Sequence, residues 1–383
     1  MRVAFIGTRG VPATYSGFET FVEQLGSRLA ARGHEVTVYC RRHHVRTRLD
    51  SYLGMRLMHI PGIATKHLDT LTHTALSTLH AITQRYDVVV LCISGNSPFA
   101  IFLQLAGAKV VLNVDGSDWR RKKWGRLARA YIRASEWIGT RTPNVTVTDS
   151  QVMSQYYRSR FGVETECIAY GAELAQPEGD AILRRLNLEP RRYLLLVGRF
   201  VPENCIDHLV ESYERLRPPL RCVVVGDAPY AGHYIASVKE RGPHVDFPGY
   251  VFGEGYRELL HNAYATVLCS EVGGTHPVLL EAMAAGNCVV VNNTRVNLEV
   301  IGDAGVPYDG SRGADGLLDV LRWLVRDKEA VEQYRERARA RAEQCYSWES
   351  VTQRYENLFA RLLAPPAVER PGGAMAAGDI VER

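Results

Sequence analysis

The sequence of 383 residues contains no apolar run long enough to cross a lipid bilayer. The longest candidate, residues 98–108, is interrupted by Gln104 and followed by Lys109, whereas a spanning helix needs about 20 mostly apolar residues. The first residues show no charged segment followed by an apolar segment and a cleavage site, so we predict no secretion signal. We expect a cytoplasmic protein, with peripheral contact at the inner face of the cell membrane as a further option.

Cysteine pairs of the Cys-x-x-Cys type are also absent, although the chain has eight cysteines. Most cysteines lie in apolar runs such as residues 266–269, which indicates buried, reduced thiols. The adjacent His43 and His44 lie in a basic segment with no carboxylate next to them in the sequence. This spacing does not predict a metal site, and a solvated loop is the favoured interpretation.

A strong charge imbalance is absent from the whole chain, which has 46 basic and 42 acidic residues. This balance excludes a histone-like or polyacidic protein, and with 46% apolar residues it argues against bulk disorder. The two halves differ, because residues 1–190 carry a net charge of +8 and residues 191–383 a net charge of −4. We therefore expect the first half to meet an anionic partner.

Short apolar runs alternate with longer amphipathic stretches along the chain. Runs of this kind are typical of parallel strands that are covered on both faces. Nine are predicted as strands: residues 3–6, 36–39, 88–93, 109–114, 145–148, 193–197, 222–225, 265–269 and 288–291. A helix is predicted over residues 18–32, and the alternation as a whole indicates an α/β fold.

A turn-rich stretch near residues 171–191 separates two sets of predicted strands. We predict two Rossmann-like, doubly wound domains, residues 1–175 and 185–345, whose loops face a central cleft. A helix at about residues 347–363 is expected to return to the first domain. The Pro/Gly/Ala-rich tail, residues 365–383, is predicted to be disordered.

A glycine-rich segment with Gly7, Gly10 and Gly17 follows the first predicted strand. Such a segment before a helix can direct backbone N–H groups at an anion. The spacing is not G-x-G-x-x-G, and Arg41–Arg42 stand where an acidic residue would bind a ribose, so a nicotinamide site is disfavoured. A phosphate site and a turn needed only for packing both stay open.

A second glycine-rich segment, residues 270–286, follows a strand of the second half. Gly273 and Gly274 permit close approach of the backbone to a ligand. The N–H groups of Gly274 and Thr275 are candidates to bind a diphosphate, and Glu281 is a candidate to accept hydrogen bonds from ribose hydroxyls. A buried glycine turn with a capping carboxylate is the alternative.

Segments 197–204, 249–251 and 273–284 resemble the donor half of the family 4 retaining glycosyltransferases, which have the GT-B fold. Segments 6–20 and 113–124 resemble the rhamnosyltransferase-like branch of that family. The resemblance implies transfer of a sugar from a nucleotide diphosphate to a glycan or lipid-linked acceptor in cell-surface polysaccharide synthesis. The branch implies L-rhamnose, from dTDP-rhamnose, as the donor sugar.

The resemblance also implies roles for individual residues. Arg199 matches the arginine that pairs with the donor diphosphate, for which a planar guanidinium is suited. Tyr250 and Val251 match the loop against the nucleotide base, and Glu281 matches the glutamate on the ribose. The residues implied at the diphosphate and sugar are Gly10, Gly17, Arg199, Asn204, Gly273, Gly274, Thr275 and His276.

This chain departs from the wider family at two of these positions. Gly273 stands where the family has a glutamate, and Asn204 stands where it has a lysine. Both changes resemble the rhamnosyltransferase-like branch, and Glu271 is a candidate replacement for the missing carboxylate. His276 and Ser16 differ from that branch, which more often has asparagine and glycine there.

The chain contains no Asp-x-Asp motif, which disfavours the metal-dependent GT-A class. We therefore expect no metal and no cofactor beyond the nucleotide sugar that is the substrate, with Arg199 and backbone N–H groups meeting the charge of the leaving diphosphate. In the family the leaving phosphate is thought to assist the acceptor, so we assign no nucleophile. The expected catalytic set consists of Asp115, Arg199 and Glu281. Asp115 follows the predicted strand 109–114 and is equally well suited to cap a helix.

Basic residues from Arg120 to Arg141 are interleaved with Trp119, Trp124 and Trp137. This pattern suits an anionic membrane surface, and an exposed helix with inward-packed aromatics is the alternative. No nucleic-acid-binding module accompanies the charges, so no nucleic acid partner is expected. Two other functions stay open, a GT-B nucleotide-sugar epimerase and a protein that binds nucleotide sugar without turnover.

Overall fold

The computed structural model contains two sheets, each built mainly from parallel strands with helices on both faces. It describes residues 1–13, 17–45, 49–65, 68–114, 116, 119, 125–173, 175–228 and 231–365. Among these residues, no helix combines the length and the apolar character that crossing a membrane requires. The predicted α/β architecture is confirmed.

The first sheet has eight strands in the order β3-β4-β2-β1-β5-β6-β7-β8, and only the pair β3–β4 is antiparallel. The strands are β1 (Arg2–Ile6), β2 (Glu35–Arg41), β3 (Ser51–Tyr52), β4 (Met55–Ile60), β5 (Val88–Cys92), β6 (Lys109–Val114), β7 (Val145–Thr148) and β8 (Glu166–Cys167). The helices between them are α1 (Gly17–Ala31), α2 (Asp69–Ile82), α3 (Ala100–Leu105), α4 (Arg126–Gly139) and α5 (Gln151–Phe161). We call this part of the molecule the first domain.

The second sheet has six parallel strands in the order β11-β10-β9-β12-β13-β14. The strands are β9 (Tyr193–Val197), β10 (Arg221–Val225), β11 (Asp246–Gly249), β12 (Ala265–Leu268), β13 (Cys288–Asn292) and β14 (Val306–Tyr308). The helices of this second domain are α6 (Ala181–Leu186), α7 (Ile206–Leu216), α8 (Gly232–Arg241), α9 (Gly253–Asn262), α10 (Pro277–Ala284), α11 (Arg295–Ile301), α12 (Ala314–Arg326) and α13 (Lys328–Cys345).

Apolar strands fill the centre of both sheets. All five residues of β5 and all five of β13 are buried, as expected for parallel strands with helices on each face. Helix α1 buries a stripe that includes Phe21, Leu25 and Leu29, which matches the spacing of its sequence.

The last helix, α14 (Trp348–Leu363), packs on α1 of the first domain. The ring of Tyr355 lies 5.6 Å from that of Phe21, and its hydroxyl accepts a 2.6 Å hydrogen bond from Asn113 Nδ2 in β6. Arg32, just after α1, pairs with Glu349 and Glu356 of α14. The end of the chain therefore completes the domain that the beginning of the chain starts.

Each sheet has one point, between two neighbouring strands, from which later strands are added in opposite directions. In the first sheet this point lies between β1 and β5, and in the second between β9 and β12. In open α/β sheets the loops at the carboxyl ends of two such strands diverge and leave a crevice, which is where ligands bind. The loops that follow β9 and β12 are those that contain the predicted donor residues.

Candidate functional site

Two loops of the second domain are bonded to each other at this crevice. The Glu271 backbone N–H donates to the Glu203 carbonyl over 3.0 Å, which joins the loop after β12 to the loop after β9. Asn204 adds a second link, because its Nδ2 donates to the Arg199 carbonyl over 2.8 Å and its Oδ1 accepts from Ser270 Oγ over 3.1 Å. Arg199 itself is partly exposed.

These bonds give Asn204 a role that the sequence did not indicate. The family resemblance implies that Asn204 faces the donor diphosphate, but both polar ends of its side chain are bonded within the protein. The side chain holds the loop that carries Arg199, and so acts on that guanidinium by fixing its backbone.

The glycine pair at the start of α10 is approached from both domains. At Gly273, where φ is +154°, an added Cβ would lie 2.9 Å from the His276 ring, so the ring lies over this residue. From the first domain, a Cβ at Gly116 would lie 3.1 Å from the Gly274 backbone nitrogen. The segment after β6 therefore reaches the donor loop, and a side chain at Gly116 would crowd the Gly274 backbone.

Gly17 makes a similar contact at the other side of α10. A Cβ at Gly17 would lie 2.8 Å from Pro277 Cγ, the first residue of α10. The start of α1 and the start of α10 thus face each other across the cleft, and the structure brings Gly17, Gly273, Gly274 and His276 into one region.

The Thr275 backbone N–H has a partner that the sequence did not indicate. It donates to Asp149 Oδ2 over 2.6 Å, and the Thr275 hydroxyl donates to the Asp149 carbonyl over 3.2 Å. Asp149 follows β7 in the first domain and is 2% exposed. This N–H group, a candidate for the donor diphosphate, is therefore bonded to a carboxylate from the opposite domain.

A second carboxylate crosses between the domains beside the first. Glu299 of α11 accepts hydrogen bonds from the backbone N–H groups of Gln151 (2.7 Å) and Val152 (2.9 Å) at the start of α5. The N-terminus of a helix carries unpaired N–H groups and a partial positive charge, which a carboxylate satisfies. We call the Asp149 and Glu299 contacts together the interdomain clasp.

Glu281 lies in α10 beside Tyr256 of α9, whose hydroxyl donates to Glu281 Oε2. Burial raises the pKa of Glu281 to about 7, and the hydrogen bond from Tyr256 opposes that rise only in part. Burial, together with the neighbouring carboxyl group, also raises the pKa of Tyr256. Glu281 is thus a carboxyl group that changes its charge near neutral pH.

The predicted base-binding loop presents a flat aromatic surface. Tyr250 and Phe252 stack with ring centroids 5.5 Å apart and an angle of 18° between their planes, and both are exposed. The Tyr250 hydroxyl donates to the Asp227 carbonyl over 3.0 Å, which fixes the ring. Val251 instead packs against the core, so the exposed surface comes from Tyr250 and Phe252.

The first glycine-rich segment is shaped by packing. At Gly10, where φ is +108°, a Cβ would lie 2.5 Å from Cys40 Sγ. The Arg9 N–H donates to Glu19 Oε1 over 2.9 Å and the Ala13 N–H to Glu23 Oε2 over 2.7 Å, so these groups already have acceptors in α1. Of the two interpretations of this segment, the turn needed for packing has the direct support.

Three predicted features lie outside the described residues. They are Asp115, the expected acceptor-side carboxylate, the basic run at residues 120–124, and the tail predicted to be disordered, of which only residue 365 is described. Helix α4 and the residues after it, which carry the rest of the basic segment to Arg141, are described.

His43 and His44 acquire a carboxylate partner that their sequence neighbourhood does not show. Their Nε2 atoms lie 2.9 and 3.0 Å from the Asp69 carboxylate oxygens, and Arg41 Nη1 lies 2.8 Å from Asp69 Oδ2. Burial alone would raise the pKa of Asp69, but the bonds from His44 and Arg41 outweigh it and hold the pKa well below its usual range. Since Arg41 already balances this carboxylate, the group forms an ion-pair cluster at the first residue of α2.

The two halves of the chain match two different protein families. Residues 180–341 match the family described as "Glycosyl transferases group 1", and residues 1–173 match a "Domain of unknown function (DUF1972)". "O-antigen chain mannosyltransferase C" of Escherichia coli is 23% identical over 95% of this chain and 99% of its own length. "Lipopolysaccharide 1,2-N-acetylglucosaminetransferase" of Salmonella typhimurium is 26% identical over 55% of this chain, and the match spans only 60% of that relative.

A solved structure has a similar fold. HepE of Anabaena, crystallised in complex with UDP-glucose, superposes with a TM-score of 0.77 over 94% of this chain and all of its own. The two sequences are only 16% identical, so the likeness concerns the fold alone.

Proposed function

We propose that this chain, which has the GT-B fold and matches the glycosyl transferases group 1 family over residues 180–341, is a glycosyltransferase. The proposed reaction moves a sugar, with retention, from a nucleotide diphosphate to a hydroxyl of a glycan or lipid-linked acceptor. The observation that carries it is the crevice between β9 and β12, where the loop of Arg199 is bonded to the glycine loop of α10.

In this proposal the leaving diphosphate is held by charge and dipoles without a metal. Arg199 offers a planar fork of donors that stays charged. The start of α10 adds the positive end of a helix dipole and the Gly274 N–H group. Such fixed groups stabilise the charge that develops as the sugar–phosphate bond breaks.

The nucleoside is proposed to lie between Glu281 and the aromatic surface of Tyr250 and Phe252. As a carboxylate, Glu281 accepts hydrogen bonds from ribose hydroxyls, while the stacked rings offer an exposed flat face for a base. The first domain supplies the acceptor side, where the segment at Gly116 meets Gly274.

The donor sugar is proposed to be L-rhamnose, from dTDP-rhamnose. This choice rests on the resemblance to the rhamnosyltransferase-like branch, including Gly273 and Asn204. The named relatives transfer N-acetylglucosamine and mannose, so GDP-mannose and UDP-N-acetylglucosamine are the competing donors. Their names also support a place in lipopolysaccharide or O-antigen synthesis. We propose that the enzyme works in the cytoplasm, at the inner face of the cell membrane.

The test is thermal denaturation and product analysis with a panel of nucleotide sugars. A bound donor raises the melting temperature by mass action, so dTDP-rhamnose should give the largest rise. Transfer to a lipid-linked glycan acceptor should then release dTDP. A larger rise in melting temperature with another nucleotide sugar would overturn the rhamnose proposal. Release of a free or altered sugar without acceptor would indicate an epimerase. Binding of donor with no product would indicate a binding protein.

A further inference from the structure

Helix α2 turns its polar side chains inward and its leucines outward. His73, Thr74, Ser77 and Thr78 are all buried, whereas Leu79 is 64% exposed. A surface helix of a water-soluble domain normally buries its apolar stripe. The inverted arrangement, with small polar residues at the helix contacts, is typical of helices whose outer side meets an apolar phase.

Helix α3 continues the exposed apolar surface next to α2. Ile101 and Phe102 are about half exposed, and Leu105 is 80% exposed. Helices α2 and α3 contact each other. The connections β4–β5, β5–β6 and β6–β7 all progress in the same direction across the sheet, so right-handed crossovers place α2, α3 and α4 on one face.

Helix α4 adds both apolar and basic side chains to this face. Leu127 is 88% exposed, and Tyr131 and Trp137 are also exposed. Eight of the 17 large apolar residues that are exposed in the described part of the chain lie on α2, α3 and α4. Since these helices hold less than a tenth of the sequence, the eight residues form a patch and are not scattered singly.

The exposed charge on these helices has one sign. The exposed cations of α4 and its end are Arg126, Arg129, Arg133 and Arg141. The helices α2 to α4 contain two acidic residues, of which Asp69 is paired with Arg41 and Glu136 is completely buried. No carboxylate of these three helices is therefore available to repel an anionic surface.

We propose that the outer face of α2, α3 and α4, called the insertion face below, docks on a lipid monolayer with anionic headgroups. Leu79, Leu105 and Phe102 enter among the acyl chains, and the arginines of α4 lie at the headgroup phosphates. An amphipathic surface of this kind binds by apolar burial together with attraction to anionic lipid. The inference deepens the proposed function, on which it rests for the lipid-linked acceptor.

The insertion face leads to the cleft. Helix α2 begins at the carboxyl edge of the first sheet, where Arg41 at the end of β2 bonds Asp69. An apolar groove lies along the first turns of α2 and is lined by Pro61, Ile63 and Leu76 among others. An acceptor on an acyl or prenyl chain could therefore keep its chain in the monolayer and this groove while its glycan reaches the cleft.

The experiment is flotation of the full-length protein with vesicles, in the absence of any substrate. Vesicles of phosphatidylcholine with about one third phosphatidylglycerol are compared with phosphatidylcholine alone. We expect the wild-type protein to float with the anionic vesicles and the double variant L79E/L105E to lose at least about tenfold in partition coefficient. The matched control is W323E/L363E, which places two carboxylates at exposed apolar positions outside the insertion face.

Retention of binding by L79E/L105E, or absence of wild-type binding to anionic vesicles, would overturn the proposal. If the wild type instead forms dimers that L79E/L105E dissociates, the face is a contact between copies of the chain and the proposal is wrong. The melting temperature of each variant checks folding, and its rise with nucleotide sugars tests the donor site independently. Failure of membrane docking can thus be told from failure of the proposed function.

Discussion

Arg199 projects from a loop whose backbone is fixed by Asn204, so its guanidinium is expected to act from a defined position. We predict that R199A lowers the transfer rate by more than about tenfold, because a charge-assisted contact with the diphosphate is lost. The measurement is steady-state release of nucleoside diphosphate with saturating acceptor. R192A is the control, since Arg192 is exposed just before β9, at the opposite edge of the sheet. An equal loss in both variants, or no loss in R199A, would remove Arg199 from the site.

Glu281 gives the stability of the protein a dependence on pH. Its pKa is raised from 4.5 to about 7 in the folded chain, mainly by burial, so the folded state holds a proton that the unfolded state has lost. The stabilising effect of that proton is complete below pH 4.5 and disappears as the pH rises through about 7. We predict that E281Q raises the free energy of unfolding at pH 8 by about 2–3 kcal/mol and changes it little at pH 4.5. Urea unfolding at both pH values checks this, with the exposed E336Q as the control.

The same titration bears on donor binding. If the carboxylate of Glu281 accepts the ribose hydroxyls, the affinity for the intact nucleotide sugar, whose diphosphate keeps a constant charge over this range, should rise as the pH passes from 6 to 8. In E281Q this rise should be absent. Calorimetric titration of both proteins measures the two pH profiles, and parallel profiles would show that Glu281 does not face the ribose.

Among the elements, the loop after β1 allows a direct test of whether its glycines serve packing or ligand binding. A methyl group at Gly10 would meet Cys40 atoms at 2.5–2.7 Å, including the Cα, and the φ of +108° adds strain. We predict that G10A lowers the free energy of unfolding by more than about 2 kcal/mol. G95A is the matched control, because nothing lies within 4 Å of a Cβ at Gly95. Equal stability of G10A and the wild type, with weaker donor binding in G10A, would restore the phosphate interpretation.

The sequence predicted most of the central strands because their apolar runs are continuous. The strands at 109–114 and 145–148 have the predicted bounds, and each is buried along nearly its whole length. Strands β3 and β8 were not predicted. Each has only two residues and lies at an edge of the sheet, where burial imposes no apolar pattern. Helix α2 was not predicted either. Its polar face points inward, so its sequence lacks the apolar stripe that indicates a helix packed on a core.

The candidate site was predicted less completely than the sheets. Arg199 was predicted from the family resemblance alone, whereas Gly274 and Glu281 were predicted also from a glycine-rich motif between a strand and a helix; the roles of all three stay predictions. Asp149 has only the local signature of a residue before a helix, and its partner Thr275 lies 126 positions away. A contact of this kind depends on how two domains meet, which no local spacing records.

At the scale of the whole molecule, the interdomain clasp bonds the two domains directly to each other. We predict that D149A/E299A increases the radius of gyration in solution and lowers kcat/KM by about tenfold, because the cleft loses its fixed width. Small-angle X-ray scattering and transfer kinetics measure the two effects. The control E343A removes an exposed carboxylate from α13. Unchanged scattering, with kinetics like those of E343A, would show that the clasp does not hold the cleft.

The position of α14 has a consequence for biosynthesis. The ribosome makes β1 to β8 first, yet the groups that cover Phe21 and bond Asn113 belong to Tyr355, which emerges more than 180 residues after β8. The nascent first domain must wait, with part of its apolar interior open, until the second domain has been translated. Completion of the first folding unit therefore requires translation through α14, and a premature stop codon just before Trp348 should damage the first domain more than the second.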